Sequence, residues 1–199
     1  MLSEDLMFKT FLLVLKAMFS PALSVDLGRI VEENGVSGLV LDIAAGGSGT
    51  GPKVLGKDTV ALDVSMEEVK EAIRNDAKAQ WVCADARRMP FRDKAFNWAI
   101  TFFGLMYIRG KDDKEKVLEE GLRVARKILL VEPIIAKHVG DYLIRVHVLN
   151  KGETVHRTCF GVSGKNIRQT GLIVKMMTSS GSLIRLEEER NHFIAILRG

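Results

Sequence analysis

Short apolar runs alternate with amphipathic helical stretches along most of this chain. Leu39-Val40-Leu41, Thr59-Val60-Ala61-Leu62 and Trp81-Val82-Cys83-Ala84 are almost unbroken, as in strands covered on both faces. Residues 96–102 and 127–131 read as two further strands. Between them lie helical patterns. Ser65 caps one helix through Ala77, with Glu67 and Glu68 in its first turn, where the helix dipole favours acids. Another, over 112–125, carries Val117, Leu118, Leu122 and Val124 on one face. Strands that alternate with helices predict βαβ units and a parallel sheet. The chain closes with strands at 183–187 and 193–197, joined too tightly for a crossover and therefore antiparallel. The sum is one domain over 1–199, an α/β doubly wound sheet of seven strands, mostly parallel, with an antiparallel C-terminal pair.

Three segments complete the pattern. A helix over 3–19 is predicted from Leu6, Phe11, Val14, Leu15 and Met18, with Ser3 as cap, and a second over roughly 23–33, ending at Asn34-Gly35. Together 1–35 form a helical cap. A very short helix occupies 51–56. In 134–162, residues 142–149 show helical matches while Asn150-Lys151-Gly152-Glu153 also suits a hairpin turn; a helix is the reading adopted. A last helix follows Ser163.

The first three strands each end in a carboxylate: Asp42, Asp63 and Asp85, spaced 63 − 42 = 21 and 85 − 63 = 22 residues apart. In a parallel sheet the carboxyl ends of the strands lie side by side and ligands bind in the crevice there. The three acids are therefore expected to face one pocket.

Composition narrows the class. With 199 residues, 47% hydrophobic and 27% charged, the chain can bury a sizeable core, and its net charge of +4 is too small to indicate nucleic acid by itself. The two cysteines, Cys83 and Cys159, are too few for a disulfide framework. Cys83 falls within a buried-looking strand, so reduced thiols in a cytoplasmic protein are expected. Neither has partners at metal-ligand spacing, so no metal is expected. The apolar stretch Phe11–Leu15 is preceded by Glu4 and Asp5 and followed by Lys16, unlike a signal peptide or membrane span.

A glycine-rich turn, Gly46-Gly47-Ser48-Gly49-Thr50-Gly51, follows Asp42. It is not a nucleotide P-loop, because Pro52 stands where the lysine must be. Nor is it a dinucleotide fingerprint: the third glycine falls on Pro52, and Asp42 would repel a pyrophosphate. A ligand with a cationic amino-acid tail and no phosphate gains from that acid. Val40-Leu41-Asp42-Ile43-Ala44-Ala45-Gly46, Ala61-Leu62-Asp63-Val64-Ser65 and Ala84-Asp85-Ala86-Arg87-Arg88-Met89-Pro90-Phe91 resemble, in order, successive motifs of the class I S-adenosylmethionine-dependent methyltransferases, in their small-molecule branch (the methyltransferase-domain type 11-like group). The resemblance covers roughly 38–133 and implies a Rossmann-like fold, S-adenosylmethionine as cofactor with S-adenosylhomocysteine as product, and methyl transfer to a small-molecule acceptor.

By the same resemblance Asp42 anchors the methionyl amino group, with Ala44 to Gly46 lying against the ligand. Asp63 accepts the ribose hydroxyls, Asp85 the adenine amino group with help from the Ala86 amide, and Val64 and Phe102 flank the adenine or the sulfonium. Tyr107 and His138 stand near strand ends on the acceptor side, without either being assigned as catalytic base. The cap at 1–35 and segment 134–162 are expected to cover the acceptor, with Phe8, Phe19, Tyr142 and Phe160 as apolar lining. Two departures stand out: the family usually has glycine at the positions of Ala44 and Ser48. They leave room for a cofactor-binding or silent partner subunit. An RNA or protein methyltransferase is the other alternative, disfavoured because Thr101-Phe102-Phe103-Gly104 replaces the signature that binds an amino group.

Overall fold

The computed structural model describes residues 22–134, 141–163, 182–189 and 191–199, together with Phe11, Leu12, Leu15 and Thr170. Most of the expected helix over 3–19, most of the helix after Ser163, and His138 lie outside the described residues.

The five strands expected from the first half all form: β2 (Val40–Ile43), β3 (Thr59–Asp63), β4 (Gln80–Cys83), β5 (Phe96–Phe102) and β6 (Ala125–Pro133). With β9 (Leu183–Glu188) and β10 (His192–Arg198) they make a seven-stranded sheet in the order β4-β3-β2-β5-β6-β10-β9. The five are mutually parallel, and β10 runs antiparallel to both β6 and β9. The sheet is that of a Rossmann-like methyltransferase fold. Side-chain alternation splits the strands between two cores. Leu41, Ile43, Ala99, Ile128 and Leu130 face one side, against Val117 and Leu118 of the helix Lys111–Val124. Val40, Trp98, Ile100, Leu129 and Val131 face the other.

On that second face the sequence reading needs two corrections. Segment 134–162 is not a helix: β7 (Asp141–Asn150) and β8 (Glu153–Ser163) form a hairpin. Its turn holds Lys151 at φ 54° and Gly152 at φ 89°, the positive values that two-residue hairpin loops require. Val146 and Val148 of β7 are buried, an alternation of period two that outweighs the helical matches. Nor is 23–33 helical throughout. Leu23–Asp26 is a strand, β1, parallel to β7, and only Leu27–Glu33 (α1) is helix. Asp26 explains the switch. Its side chain accepts from the Arg29 amide at 2.9 Å, capping α1, and from the Lys151 and Gly152 amides at 2.9 and 2.7 Å, which ties β1 to the hairpin turn. Strands β1, β7 and β8 make a separate three-stranded sheet.

The remaining helices follow the sequence closely: α2 is Thr50–Leu55, α3 is Met66–Arg74 capped by Ser65, and α4 is Lys111–Val124. Cys83 is a third correction. It is exposed, because β4 is the edge strand of the large sheet.

Candidate functional site

The loop leaving β2 turns sharply. Ala44, Gly46 and Gly49 all have positive φ (57°, 62° and 55°), and the Ala45 amide donates to the Leu62 carbonyl at 3.1 Å, bridging the ends of β2 and β3. Ala44 adopts the left-handed region without being glycine, a cost of about 1–2 kcal/mol. Asp42 ends up beneath the start of α2. A Cβ on Gly51 would lie 2.1 Å from Asp42 Oδ2, so only glycine lets the helix close over that carboxylate.

The strand ends open into one cavity of about 860 Å³, a size typical of small-molecule sites. Asp42, Ala44, Gly46, Asp63, Val64, Asp85, Ala86, Phe102 and Tyr107 all line it. With Phe160, which also lines it, these are the sequence-predicted positions; His138, Phe8, Phe19 and the Tyr142 side chain lie outside the described residues. Several lining residues escaped the sequence reading. Glu68, Glu71 and Asn75 come from α3 and its C-terminal end. Their spacing of three and four is a polar stripe on one helix face, a signal that was present. Glu68 accepts the Gly47 amide, and Asn75 Nδ2 donates to the Gly47 carbonyl at 3.1 Å, so α3 holds the glycine loop. His156 and Thr158 line the cavity from alternate positions of β8, beside Phe160, which was expected there, and Cys159 joins them. Once 142–149 is read as helix, that face cannot be drawn.

The three carboxylates differ in state. Asp42 is 2% exposed and its pKa is pushed up to about 8, first by burial and then by the charge of Asp63. It is therefore mostly a neutral acid at pH 7. Asp63 accepts from the Gly46 amide on Oδ2 and the Ser65 amide on Oδ1, both at 2.9 Å. Each of its oxygens keeps a lone pair, a match for a vicinal diol. Asp85 is engaged on both oxygens by Arg87, whose Nη1 also reaches Asp113 Oδ2 at 2.8 Å. The side-chain and backbone bonds from Arg87 hold the Asp85 pKa below its usual range.

Three phenylalanine rings also line the cavity. Phe102 and Phe103 stack at 4.7 Å between centroids, and Phe160 of β8 packs on them at 6.2 and 5.3 Å. Tyr107 stands at the rim with its pKa raised to about 12, chiefly by burial, so it keeps its proton at neutral pH. Its short 3₁₀ turn, Leu105–Tyr107, is fixed from within. Glu132, fully buried at the end of β6, accepts from Thr101 Oγ1 (2.8 Å) and from the amides of Leu105 (2.9 Å) and Met106 (3.3 Å). Lys114, also fully buried, donates to the Leu105 carbonyl. Burial pushes the Glu132 pKa up and that of Lys114 down. Behind β8, Lys53 Nζ lies 3.4 Å from His156 Nδ1, and burial followed by the Lys53 charge lowers the His156 pKa. Among the described residues no cluster of three or more His, Cys, Asp or Glu side chains could hold a metal ion, and no helix is long and apolar enough to cross a membrane.

The residues fit S-adenosylmethionine at three of four points. Asp63 offers free acceptor capacity for a ribose, the space over Gly46 is open (the nearest atom to an added Cβ is 3.9 Å away), and a buried acid at Asp42 suits an ammonium. At Asp85 the acceptor capacity is already taken.

Sheet order and strand-end acids agree with the resemblance to the class I S-adenosylmethionine-dependent methyltransferases read from the sequence, while the loop carries Ala44 and Ser48 where that family usually has glycine. Residues 41–128 match the family described as "Methyltransferase domain", and the sheet has the Rossmann-like methyltransferase fold. It is 37% identical over 89 residues to a demethylmenaquinone methyltransferase of Renibacterium salmoninarum, covering 44% of this chain and 36% of that protein. To the demethylmenaquinone methyltransferase of Paenarthrobacter aurescens it is 37% identical over 117 residues, covering 53% of this chain and 45% of the relative. The chain thus spans less than half the length of these curated relatives. Among solved structures, a S-adenosylmethionine-dependent methyltransferase from Methanosarcina mazei superposes with a TM-score of 0.58 at 18% identity, covering 87% of this chain and 98% of that one.

Proposed function

We propose that the protein transfers the methyl group of S-adenosylmethionine to a small-molecule acceptor, with an aromatic ring as the group that the acceptor presents. The observation that carries this is one cavity of about 860 Å³ lined both by the three strand-end carboxylates and by the Phe102, Phe103 and Phe160 rings. In this reading Asp63 holds the ribose diol by two charge-assisted bonds, Asp42 gives up its proton to meet the amino group, and Asp85 and the Ala86 amide receive the adenine. Ala44 and Gly46 lie against the ligand, and Val64 and Phe102 flank it. The sulfonium supplies an activated methyl, so the chain's task is to align the acceptor and exclude water.

Segment 134–162 covers the acceptor through the β8 residues His156, Thr158, Cys159 and Phe160, and β1 supports the hairpin by pairing with β7. Tyr107, protonated at neutral pH, serves as a hydrogen-bond donor to the acceptor rather than as a base. The names of the two curated relatives make demethylmenaquinone-type rings the first acceptors to try. Two exposed, unpaired cysteines suit a reducing compartment such as the cytoplasm.

The test is calorimetric titration with S-adenosylhomocysteine, with NADH and ATP as controls. Micromolar binding of the first alone is expected. Equal binding of all three, or of none, would overturn the proposal.

A further inference from the structure

A carboxylate offers about four lone-pair positions, and at Asp85 one arginine takes them all. Oδ1 accepts from the Arg87 amide at 2.8 Å and from Arg87 Nε at 3.0 Å. Oδ2 accepts from Arg87 Nε at 3.0 Å and from Nη2 at 2.6 Å. An adenine amino group arriving here meets no free acceptor. Asp63, one strand away, presents the opposite case, with one backbone donor on each oxygen. The difference lies in Arg87, not in the sheet.

Arg87 also has somewhere else to go. Its Nη1 is already 2.8 Å from Asp113 Oδ2, in the first turn of α4, and Asp85, Arg87 and Asp113 all border the cavity. Both ion pairs are partly exposed, with Arg87 47%, Asp85 40% and Asp113 33% accessible, so rearranging them asks little of the fold.

We infer that Arg87 sets cofactor affinity by competing with the adenine amino group for Asp85, and that Asp113 is the anchor to which Arg87 withdraws when the cofactor enters. The inference rests on the proposed cofactor reading, in which Asp85 receives the adenine. Arg87 is in this sense a positioning residue. It touches no reacting atom and acts through the state of Asp85. The two neighbours of the arginine then have opposite effects. Removing Arg87 frees Asp85 and tightens binding; removing Asp113 leaves Arg87 with Asp85 as its sole carboxylate and weakens it.

The experiment is titration of the whole chain with S-adenosylhomocysteine and with its purine analogue lacking the exocyclic amino group. Exposed pairs of this kind are worth little, so effects of about threefold to fivefold are expected. Arg87→Ala should bind S-adenosylhomocysteine about that much more tightly than wild type, and Asp113→Asn correspondingly more weakly. The Arg87→Ala gain should vanish for the analogue and in the Asp85→Ala background, neither of which a general loosening of the loop would produce. Unchanged or weaker binding by Arg87→Ala, or a gain that persists with the analogue, overturns the competition while leaving the cofactor reading intact. Absence of binding by wild type and every variant overturns both.

Discussion

Asp42→Asn isolates the most unusual group in the cavity. The wild-type side chain is buried with a pKa near 8, against 3.8 for an ordinary aspartate. Between those values the folded protein holds a proton that the unfolded chain releases, so stability must fall as pH rises. The Asp42 contribution is complete below about pH 4, declines by about 1.4 kcal/mol per pH unit, and is gone above about pH 8. Between pH 5 and 7 that is a loss of about 2.7 kcal/mol. Asparagine has nearly the same shape and does not titrate. The variant should therefore gain on wild type by about that amount over those two units, whatever other groups titrate in both. Urea unfolding at several pH values reads the difference directly. Parallel pH profiles for the two proteins would refute the reasoning.

The same proton reappears in binding. A ligand ammonium beside Asp42 favours its ionised form, so binding at pH 7 should expel about 0.9 proton, the fraction held by an acid of pKa near 8. Calorimetry in buffers of different ionisation enthalpy counts it. The count should drop to near zero in Asp42→Asn.

Three further perturbations test other parts of the site. Asp63→Ala should weaken S-adenosylhomocysteine binding by about 2–3 kcal/mol, the worth of charge-assisted hydrogen bonds, and unchanged affinity by calorimetry would remove its ribose role. Gly51→Ala places a Cβ 2.1 Å from Asp42 Oδ2 and should abolish measurable binding while leaving the far-ultraviolet dichroism intact. Lys114→Met strands the buried Glu132 charge and should cost about 3 kcal/mol in denaturant unfolding at pH 8. The loss should shrink at pH 5, where Glu132, its pKa raised by burial, takes up a proton.

The first three parallel strands were legible because each apolar run ended in a carboxylate followed by a turn, and spacing of that kind leaves room for one helix and little else. Asp42, Asp63 and Asp85 met in one cavity for that reason. What lay beyond was hidden by two physical ambiguities. Tyr142 to Leu149 carries apolar residues that satisfy both helical and strand periods; pairing with β8 across the Lys151-Gly152 turn, and of Val146 to Leu149 with β1, makes it a strand. At Leu23–Asp26 pairing with β7, more than a hundred residues away, overrode a helical pattern that begins only four residues later. Glu132 read as a strand-end acid beside Pro133, and nothing local marks it as the buried acceptor for a turn 26 residues upstream. The occupation of Asp85 by Arg87 is local, two residues apart, yet depends on a side-chain conformation that no spacing rule contains.

The pairing of Leu23 with Val146 spans 146 − 23 = 123 residues and encloses the whole parallel unit. Closing so long a loop is entropically unfavourable until the intervening chain has collapsed. Strands β2 to β6 need only their neighbours and can assemble as they leave the ribosome. The wall of the cavity built on β1, β7 and β8 must wait for synthesis to pass residue 163. A nascent chain therefore exposes a finished set of strand ends before it has anything to lay over them.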